Sequence, residues 1–236
     1  DAFFDHSIVL TYAVDPKEVG GLLPPFLELD LHKDGHAFLA VALVSTRSLR
    51  PAGFPAWAGR DFFLIGYRLF VRYTNSAGRR LRGLFILRSE TNRRQMVLLG
   101  NLFTHYRYRM IDSDVRQDGT QFHVTSKRGD LDLSVTVGEP SVSLPAGSHF
   151  ADWHEARLFA GPMPFTFSQD SQGNVVIIEG ARETWKPTPL SVQHARVGFL
   201  EEYGLASARL ANAFIVQGVK YHWKRGVVEA WPHSPS

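Results

Sequence analysis

Cysteine is absent from the sequence, which excludes several classes of site at once. Disulfide bridges, thiolate nucleophiles, and zinc or iron–sulfur centres built on sulfur ligands all require it. No run of residues approaches the about 18 apolar positions that a membrane helix needs, and no signal-peptide pattern opens the chain. We therefore expect a soluble, cytoplasmic protein without a membrane partner, although a chain that starts at Asp1 leaves a removed upstream segment open.

Familiar catalytic and cofactor motifs are missing as well. The sequence has no GxGxxG, GxxxxGK[ST], GxSxG or HExxH, so dinucleotide, P-loop, hydrolase and zincin sites lack support. Among the ten histidines, His32 and His36 straddle a turn, and His149 and His154 are five positions apart. Neither spacing is specific for a metal ion. We therefore expect no metal and no cofactor.

The composition is that of a globular domain, with 44% hydrophobic and 12% aromatic residues in a chain of 236 residues. β proteins of this length commonly form one domain, so we expect a single domain over residues 1–236. The sequence pI is about 9.3, and the dense basic cluster is Arg79, Arg80 and Arg82 beside a turn. Charge runs of this kind are usually solvated, so we expect a hairpin tip rather than a nucleic-acid interface.

The pattern of apolar residues and turn signals predicts a mainly β protein. Strands are predicted over 7–14, 27–31, 36–49, 62–73, 81–88, 102–111, 121–126, 131–137, 164–168, 175–181 and 214–231. Short helices are predicted after Asp15-Pro16, over 148–159 and near 195–203, and the first of these is the one helix expected in the first half. The sequence therefore predicts an antiparallel meander with two or three short helices.

Arg68 is the most informative single residue. It lies in a strand, residues 63–73, that is otherwise apolar on both faces. A guanidinium in such a place needs a carboxylate partner or a ligand to offset the loss of hydration. Glu90, at the end of the strand expected to pair with it, could supply the carboxylate. A structural ion pair and a ligand site are therefore both open interpretations.

Several short motifs follow one another in a recognisable order. They are Tyr12-Ala-Val-Asp-Pro16, Leu23-Pro24, Arg50-Pro-Ala-Gly-Phe-Pro55, Tyr67-Arg-Leu-Phe-Val71, Gly83-Leu-Phe-Ile-Leu-Arg-Ser-Glu90, Glu155-Ala-Arg157 and Trp185-Lys-Pro187. In this order they resemble the YqjF-like family of uncharacterised bacterial proteins, which is grouped with acetoacetate decarboxylase. The resemblance implies a large curved antiparallel sheet that closes into a barrel or cone. The decarboxylase itself uses one of two adjacent lysines to form a Schiff base with a ketone.

The sequence departs from the decarboxylase pattern at the position of those lysines. No lysine occurs between Lys33 and Lys127, and the stretch that would hold the pair reads Asn92-Arg-Arg-Gln-Met96. Arginine stays protonated and cannot act as the amine nucleophile. Leu64 and Gly66 also stand where the YqjF-like pattern tends to have a glutamate and an asparagine. We therefore expect no Schiff-base chemistry from that position.

The candidate site residues that remain are cationic, aromatic and acidic. We expect ligand binding by Arg50, Arg68, Arg88, Tyr106 and Trp185, and the candidate catalytic residues are Glu90 and His105. If they converge, paired arginines would hold a small anionic molecule. Lys186 is a further amine, for which a solvated loop position is preferred.

Three functions remain open. The first is a barrel that binds a small organic ligand, carboxylate-bearing or apolar, without Schiff-base catalysis. The second is a lyase-like enzyme in which Glu90 or His105 moves a proton while Arg68 holds a carboxylate. The third is an interaction protein that uses the basic hairpin tip. The identity of the ligand, turnover and assembly into a homo-oligomer are left open by the sequence.

Overall fold

The computed structural model describes residues 1–103, 106–138, 143–161 and 163–231, most of which lie in strands. The strands are β1 (Ala2–Val14), β2 (Glu28–Leu29), β3 (Ala37–Leu49), β4 (Arg60–Thr74), β5 (Arg80–Thr91), β6 (Tyr108–Met110), β7 (Asp114–Asp118), β8 (Gln121–Ser126), β9 (Leu131–Val137), β10 (Phe165–Gln169), β11 (Val175–Arg182), β12 (Thr188–Val197), β13 (Arg209–Trp223) and β14 (Val227–Glu229). The helices are α1 (Pro16–Val19), α2 (Arg94–Phe103), α3 (Trp153–Phe159) and α4 (Gly198–Glu202). No helix in these ranges is both long and apolar enough to cross a membrane.

Seven strands close into a ring in the order β13, β1, β3, β4, β5, β10 and β11. The ring closes where β11 pairs with β13, through Gly180 opposite Trp223 and Arg182 opposite Tyr221. Strand β1 lies between β3 and β13, so strands from early and late parts of the chain are neighbours. The ring encloses the space in which the candidate site lies.

A second layer is attached to the outside of the ring. Strand β12 pairs with β13 at Thr188 and Pro189, then continues with β9, which pairs with β8, which pairs with β7. Alternate residues of β3 show the two faces of the ring wall. Leu39, Val41 and Leu43 face outward and pack into the main hydrophobic core. Ala40 and Ala42 face the space inside the ring. This alternation is the expected period of two of a strand with both faces buried.

The predicted fold class, a mainly β barrel with short helices, is confirmed, but some of its elements differ from the prediction. Residues 102–111 were expected to form one strand, whereas α2 occupies Arg94–Phe103 and the strand is Tyr108–Met110. A short apolar run does not distinguish a buried helix from a strand by periodicity. Strands β7 and β12 were not anticipated, and α2 makes the prediction of one helix in the first half of the chain wrong. The sheet is mixed rather than antiparallel, because β10 and β6 each run parallel to β5.

Candidate functional site

The interior of the ring contains a cavity of about 360 Å³ to which every strand of the ring contributes. Small side chains such as Ala40 and Ala42 leave the space. Strand β13 contributes the larger residues Phe214, Val216, Val219, Tyr221 and Trp223. Most of the wall is apolar, including Val9, Val44, Phe62, Leu64, Phe70, Leu84, Ile86, Met163, Ile178, Val216 and Val219. A mostly apolar cavity with a few polar groups is the usual form of a small-molecule site.

Arg68 projects into this cavity from the middle of β4. Its neighbours across the sheet are Ala40 on β3 and Ile86 on β5, which also line the cavity. Gly66 provides room for the guanidinium, since a Cβ atom there would lie 2.8 Å from the Arg68 Nε. That Nε is buried and has no hydrogen-bond partner among the residues the structure describes. Arg68 is therefore a buried cation held next to an open space.

The groups that face Arg68 are phenols rather than carboxylates. Burial lowers the pKa of Arg68, and the neighbouring phenols of Tyr221, Tyr106 and Tyr108 oppose this effect only in part. Burial in turn raises the pKa of Tyr106 and Tyr108, so both phenols stay neutral at physiological pH. Arginine remains protonated even in such surroundings. Among the residues that the structure describes, no carboxylate forms an ion pair with Arg68.

Arg182 is a second cation in the cavity wall, at the end of β11. Its guanidinium carbon lies 4.8 Å from the centre of the Trp185 ring and 5.7 Å from that of Tyr221. It donates a hydrogen bond of 3.0 Å to the carbonyl oxygen of Met163. Burial lowers the pKa of Arg182. Tyr221 therefore neighbours both cavity arginines. Sequence reasoning missed Arg182, although it closes an apolar strand much as Arg68 interrupts one.

The residues predicted to form one site lie in different places. Arg68, Tyr106 and Trp185 line the cavity. Arg50 lies in the loop after β3, where its side chain donates to the carbonyl oxygens of Phe54 and Ser48. Arg88 and Glu90 line a separate polar cleft of about 310 Å³ on the outer face of the ring. His105 is outside the described residues.

The expected ion pair between Arg68 and Glu90 is not formed, because a bulge in β5 changes which residues face outward. The register with β4 shifts between Tyr67 and Arg68, so that Arg88 lies opposite Tyr67 and Ile86 opposite Arg68. Leu87 and Arg88 consequently both face outward, in the main core and the cleft respectively. A bulge inserts one residue and reverses the alternation beyond it.

Arg88 and Glu90 form a buried pair with α4 instead. The Arg88 Nε lies 3.0 Å from a carboxylate oxygen of Glu90, and its Nη1 lies 2.5 Å from Glu202. The guanidinium carbon is 4.6 Å from the centre of the Phe199 ring, and the Tyr67 hydroxyl donates to Glu90 at 3.1 Å. Burial raises the pKa of Glu90, against the opposing charge of Arg88. This arrangement joins α4 to the ring wall.

Lys224 is the lysine of the described cavity lining. Its Nζ donates a hydrogen bond of 2.8 Å to Glu179, and its side chain is half-exposed. Lys186 is exposed in the loop before β12. The segment where a lysine pair was sought, residues 92–96, lies at the start of α2, and its Met96 lines the cavity.

The basic hairpin tip between β4 and β5 has partners within the chain. Arg80 pairs with Glu28 at 2.7 Å. Arg82 pairs with the buried carboxylate of Asp30 and donates a hydrogen bond of 2.6 Å to the carbonyl oxygen of Phe159. Two of the three clustered arginines therefore already meet acidic residues of this protein.

Comparison with known proteins adds a family and a set of structural neighbours. A family described as an uncharacterized conserved protein, DUF2071 (COG2071), matches residues 2–220. No curated protein matches the chain. The family predicted from the sequence motifs is confirmed by this match, and the fold implied by the resemblance is shared with solved structures.

Three solved structures illustrate the shared fold. Acetoacetate decarboxylase from Legionella pneumophila subsp. pneumophila str. Philadelphia 1 gives a TM-score of 0.61 at 14% identity, covering 97% of this chain and 87% of that one. The enduracididine biosynthesis enzyme MppR gives 0.60 at 13%, covering 96% and 86%. An acetoacetate decarboxylase-like enzyme from Sphingomonas wittichii RW1 gives 0.56 at 13%, covering 94% and 91%. At such identities the likeness concerns the fold.

Proposed function

The chain belongs to the DUF2071 family of uncharacterized conserved proteins, and from its cavity we propose that it binds a small organic carboxylate without Schiff-base catalysis. The observation that carries this proposal is Arg68, a buried guanidinium beside an open space with no described carboxylate partner. An unpaired buried charge is costly, and a bound anion would offset that cost.

The second cation and the aromatic residues define the class of ligand. Arg68 and Arg182 both neighbour Tyr221, so a carboxylate bound near this phenol would meet two guanidinium groups. Arginine forks match the planar geometry of a carboxylate. The apolar wall and the ring of Trp185 suit a ligand whose carboxylate is attached to an apolar or aromatic group. MppR, which shares the fold, has been solved with pyruvate, a 2-oxo carboxylate, and this agrees with the proposed class.

The proposal is tested by titrating the purified protein with benzoate and phenylpyruvate, with benzamide as a neutral analogue, in a calorimeter. We expect the carboxylates to bind and benzamide to bind at least tenfold more weakly, because it lacks the charge that Arg68 would balance. Arg68→Met should weaken carboxylate binding about tenfold or more, the usual value of a hydrogen bond to a charged group. Arg60→Met is the matched control, since Arg60 is an exposed residue of the same strand.

Two results would contradict carboxylate binding in the cavity. One is equal affinity for benzamide and benzoate. The other is an Arg68→Met variant that is folded by circular dichroism and binds as tightly as Arg60→Met.

A Schiff-base enzyme is the second candidate, because Lys224 lies in the cavity lining. Its Nζ is held by Glu179 at 2.8 Å and its side chain is half-exposed, so it lacks the desolvated pocket that activates a Schiff-base lysine. We therefore expect borohydride treatment with pyruvate or acetoacetate to leave no adduct on Lys224 by mass spectrometry. An adduct on Lys224 would contradict the proposal and would identify the protein as an imine-forming enzyme. Acid–base chemistry would need a proton carrier inside the cavity, and Glu90 faces the opposite side of the wall.

A further inference from the structure

Two histidines and an aspartate meet at one end of the barrel, away from the cavity arginines. Asp34 and His36 belong to the turn before β3, and His149 lies in the loop before α3, 115 positions from Asp34. The turn is fixed by Gly35, whose φ of +88° favours glycine, and by a hydrogen bond of 3.1 Å from the His36 backbone N–H to the Asp34 carboxylate. The local backbone therefore holds Asp34 and His36 side by side.

The donor atoms of these three residues have the spacing of a metal site. The Nδ1 of His149 lies 2.8 Å from one Asp34 oxygen, and the Nδ1 of His36 lies 3.3 Å from the other. One donor atom from each residue falls within 4.8 Å of the others. A tetrahedral zinc ion with bonds of about 2.0–2.1 Å separates its ligands by about 3.3 Å. Small side-chain rotations would bring all three donors onto one ion.

The hydrogen bonding of the histidines also indicates a missing partner. The His36 and His149 rings lie 3.9 Å apart between centroids, close enough for both to face one ion. The His36 Nδ1 is buried and makes no hydrogen bond with a described residue. Buried polar atoms are usually satisfied, and a bound metal ion is one way to satisfy them.

A third histidine, His32, is buried and lies next to Asp34. His32 is 7% exposed, and its buried Nδ1 also lacks a hydrogen-bond partner among the described residues. This Nδ1 points toward Asp34 at 3.1 Å, and its Nε2 lies 3.4 Å from Glu155. The edges of Phe38, Phe150 and Phe159 hold the ring in place. Outer groups of this kind orient the ligands of metal sites.

We propose that Asp34, His36 and His149 bind a divalent transition metal ion, with zinc the best match to two nitrogens and one carboxylate oxygen. Imidazole and carboxylate are ordinary zinc ligands, and a site with three protein ligands leaves a fourth position for solvent. His32 is a positioning residue that orients Asp34. The site is distinct from the carboxylate cavity, so neither proposal depends on the other.

The test is a calorimetric titration of Zn²⁺ into the chain, purified without a polyhistidine tag, with Co²⁺ absorption as a spectroscopic readout. We expect one Zn²⁺ per chain and visible Co²⁺ bands in the tetrahedral range. His36→Ala and His149→Ala should each weaken Zn²⁺ binding at least tenfold. His32→Gln should weaken it by about 10–100-fold, as outer-shell changes do.

Two controls separate this site from surface histidines. His154→Ala removes an exposed histidine of α3. His194→Ala removes one of two histidines that flank Asp132 at the wider distances of 3.4 and 3.8 Å. Both should bind Zn²⁺ as the unaltered chain does. The proposal is overturned by an absence of binding, by binding unchanged in His36→Ala and His149→Ala, or by Co²⁺ bands that disappear in His194→Ala. Asp34→Asn provides the same test should an alanine variant unfold.

Discussion

Arg68 and Arg88 are both arginines in the wall of the barrel, and they differ in what faces them. Arg88 is 3% exposed and lies between Glu90 and Glu202, over the ring of Phe199. Arg68 faces phenols and a cavity. The first arrangement is self-sufficient and stabilises the folded chain. The proposed function completes the second with a bound carboxylate, and on that proposal the two residues should respond differently to substitution.

We expect Arg88→Met to lower the free energy of unfolding by about 3–5 kcal/mol, because removing one partner leaves a buried carboxylate uncompensated. The raised pKa of Glu90 shows that its environment already disfavours the charged form. Urea unfolding followed by circular dichroism measures the change. Arg109→Met is the matched control, since Arg109 meets the same Glu202 at 3.3 Å from an exposed position.

Arg109→Met should lower the free energy of unfolding by less than about 1 kcal/mol, the usual contribution of an exposed ion pair. Equal losses in the Arg88 and Arg109 variants would show that burial of the pair contributes nothing.

At the scale of elements, β5 shows what the sequence could and could not predict. Its apolar alternation and the hairpin turn before it were enough to place the strand, observed as Arg80–Thr91. The bulge near Leu87 leaves no composition signal, because both faces of this strand are buried and a shifted register is still apolar. That one inserted residue turned Glu90 away from Arg68. The same ambiguity between faces and periods made residues 102–111 read as a strand.

Gly83 is the residue on which the parallel pairing of β5 with β10 depends. It lies directly opposite Phe165, and a Cβ atom there would collide with the Phe165 carbonyl oxygen and lie 2.7 Å from the Phe167 ring. Neither the backbone nor the buried Phe167 ring can easily move. We expect Gly83→Ala to lower the free energy of unfolding by about 1–3 kcal/mol, the cost of overpacking a dense interior, as measured by urea unfolding.

Gly21→Ala is the comparison for this change, because nothing lies within 4 Å of the position of its Cβ atom. It should change stability by no more than about 1 kcal/mol, in the stabilising direction if the backbone is compatible. A Gly83→Ala variant as stable as Gly21→Ala would mean that β10 moves aside at little cost.

At the scale of the whole molecule, the cavity depends on contacts between distant parts of the sequence. Arg68 on β4 and Arg182 on β11 share Tyr221 of β13, and β11 meets β13 where the ring closes. Local patterns predicted each of these strands, but periodicity within a strand carries no information on which distant strand it joins. Arg182 was missed for this reason. The resemblance to a known family supplied the closure into a barrel that periodicity could not.

Whether the chain is one domain is a prediction about cooperativity. The ring and the second layer share one hydrophobic core, in which Leu43 of β3 and Leu133 of β9 are both fully buried. We therefore expect a single unfolding transition in urea. Fluorescence of Trp185 and Trp223, which line the cavity, reports on the ring, and hydrogen exchange of β9 amides reports on the second layer.

Leu43→Ala and Leu133→Ala should each lower the free energy of unfolding by about 2–5 kcal/mol. Each should shift the urea midpoints measured by tryptophan fluorescence and by hydrogen exchange of β9 together. The shared core gives the physical reason, because a cavity opened on either side weakens the contacts that hold the other layer. A Leu133→Ala variant in which β9 exchanges early while tryptophan fluorescence keeps its original midpoint would divide the chain into two units. In that case the second layer would be a separate lobe, and the closed ring alone would hold the cavity lined by Arg68 and Arg182.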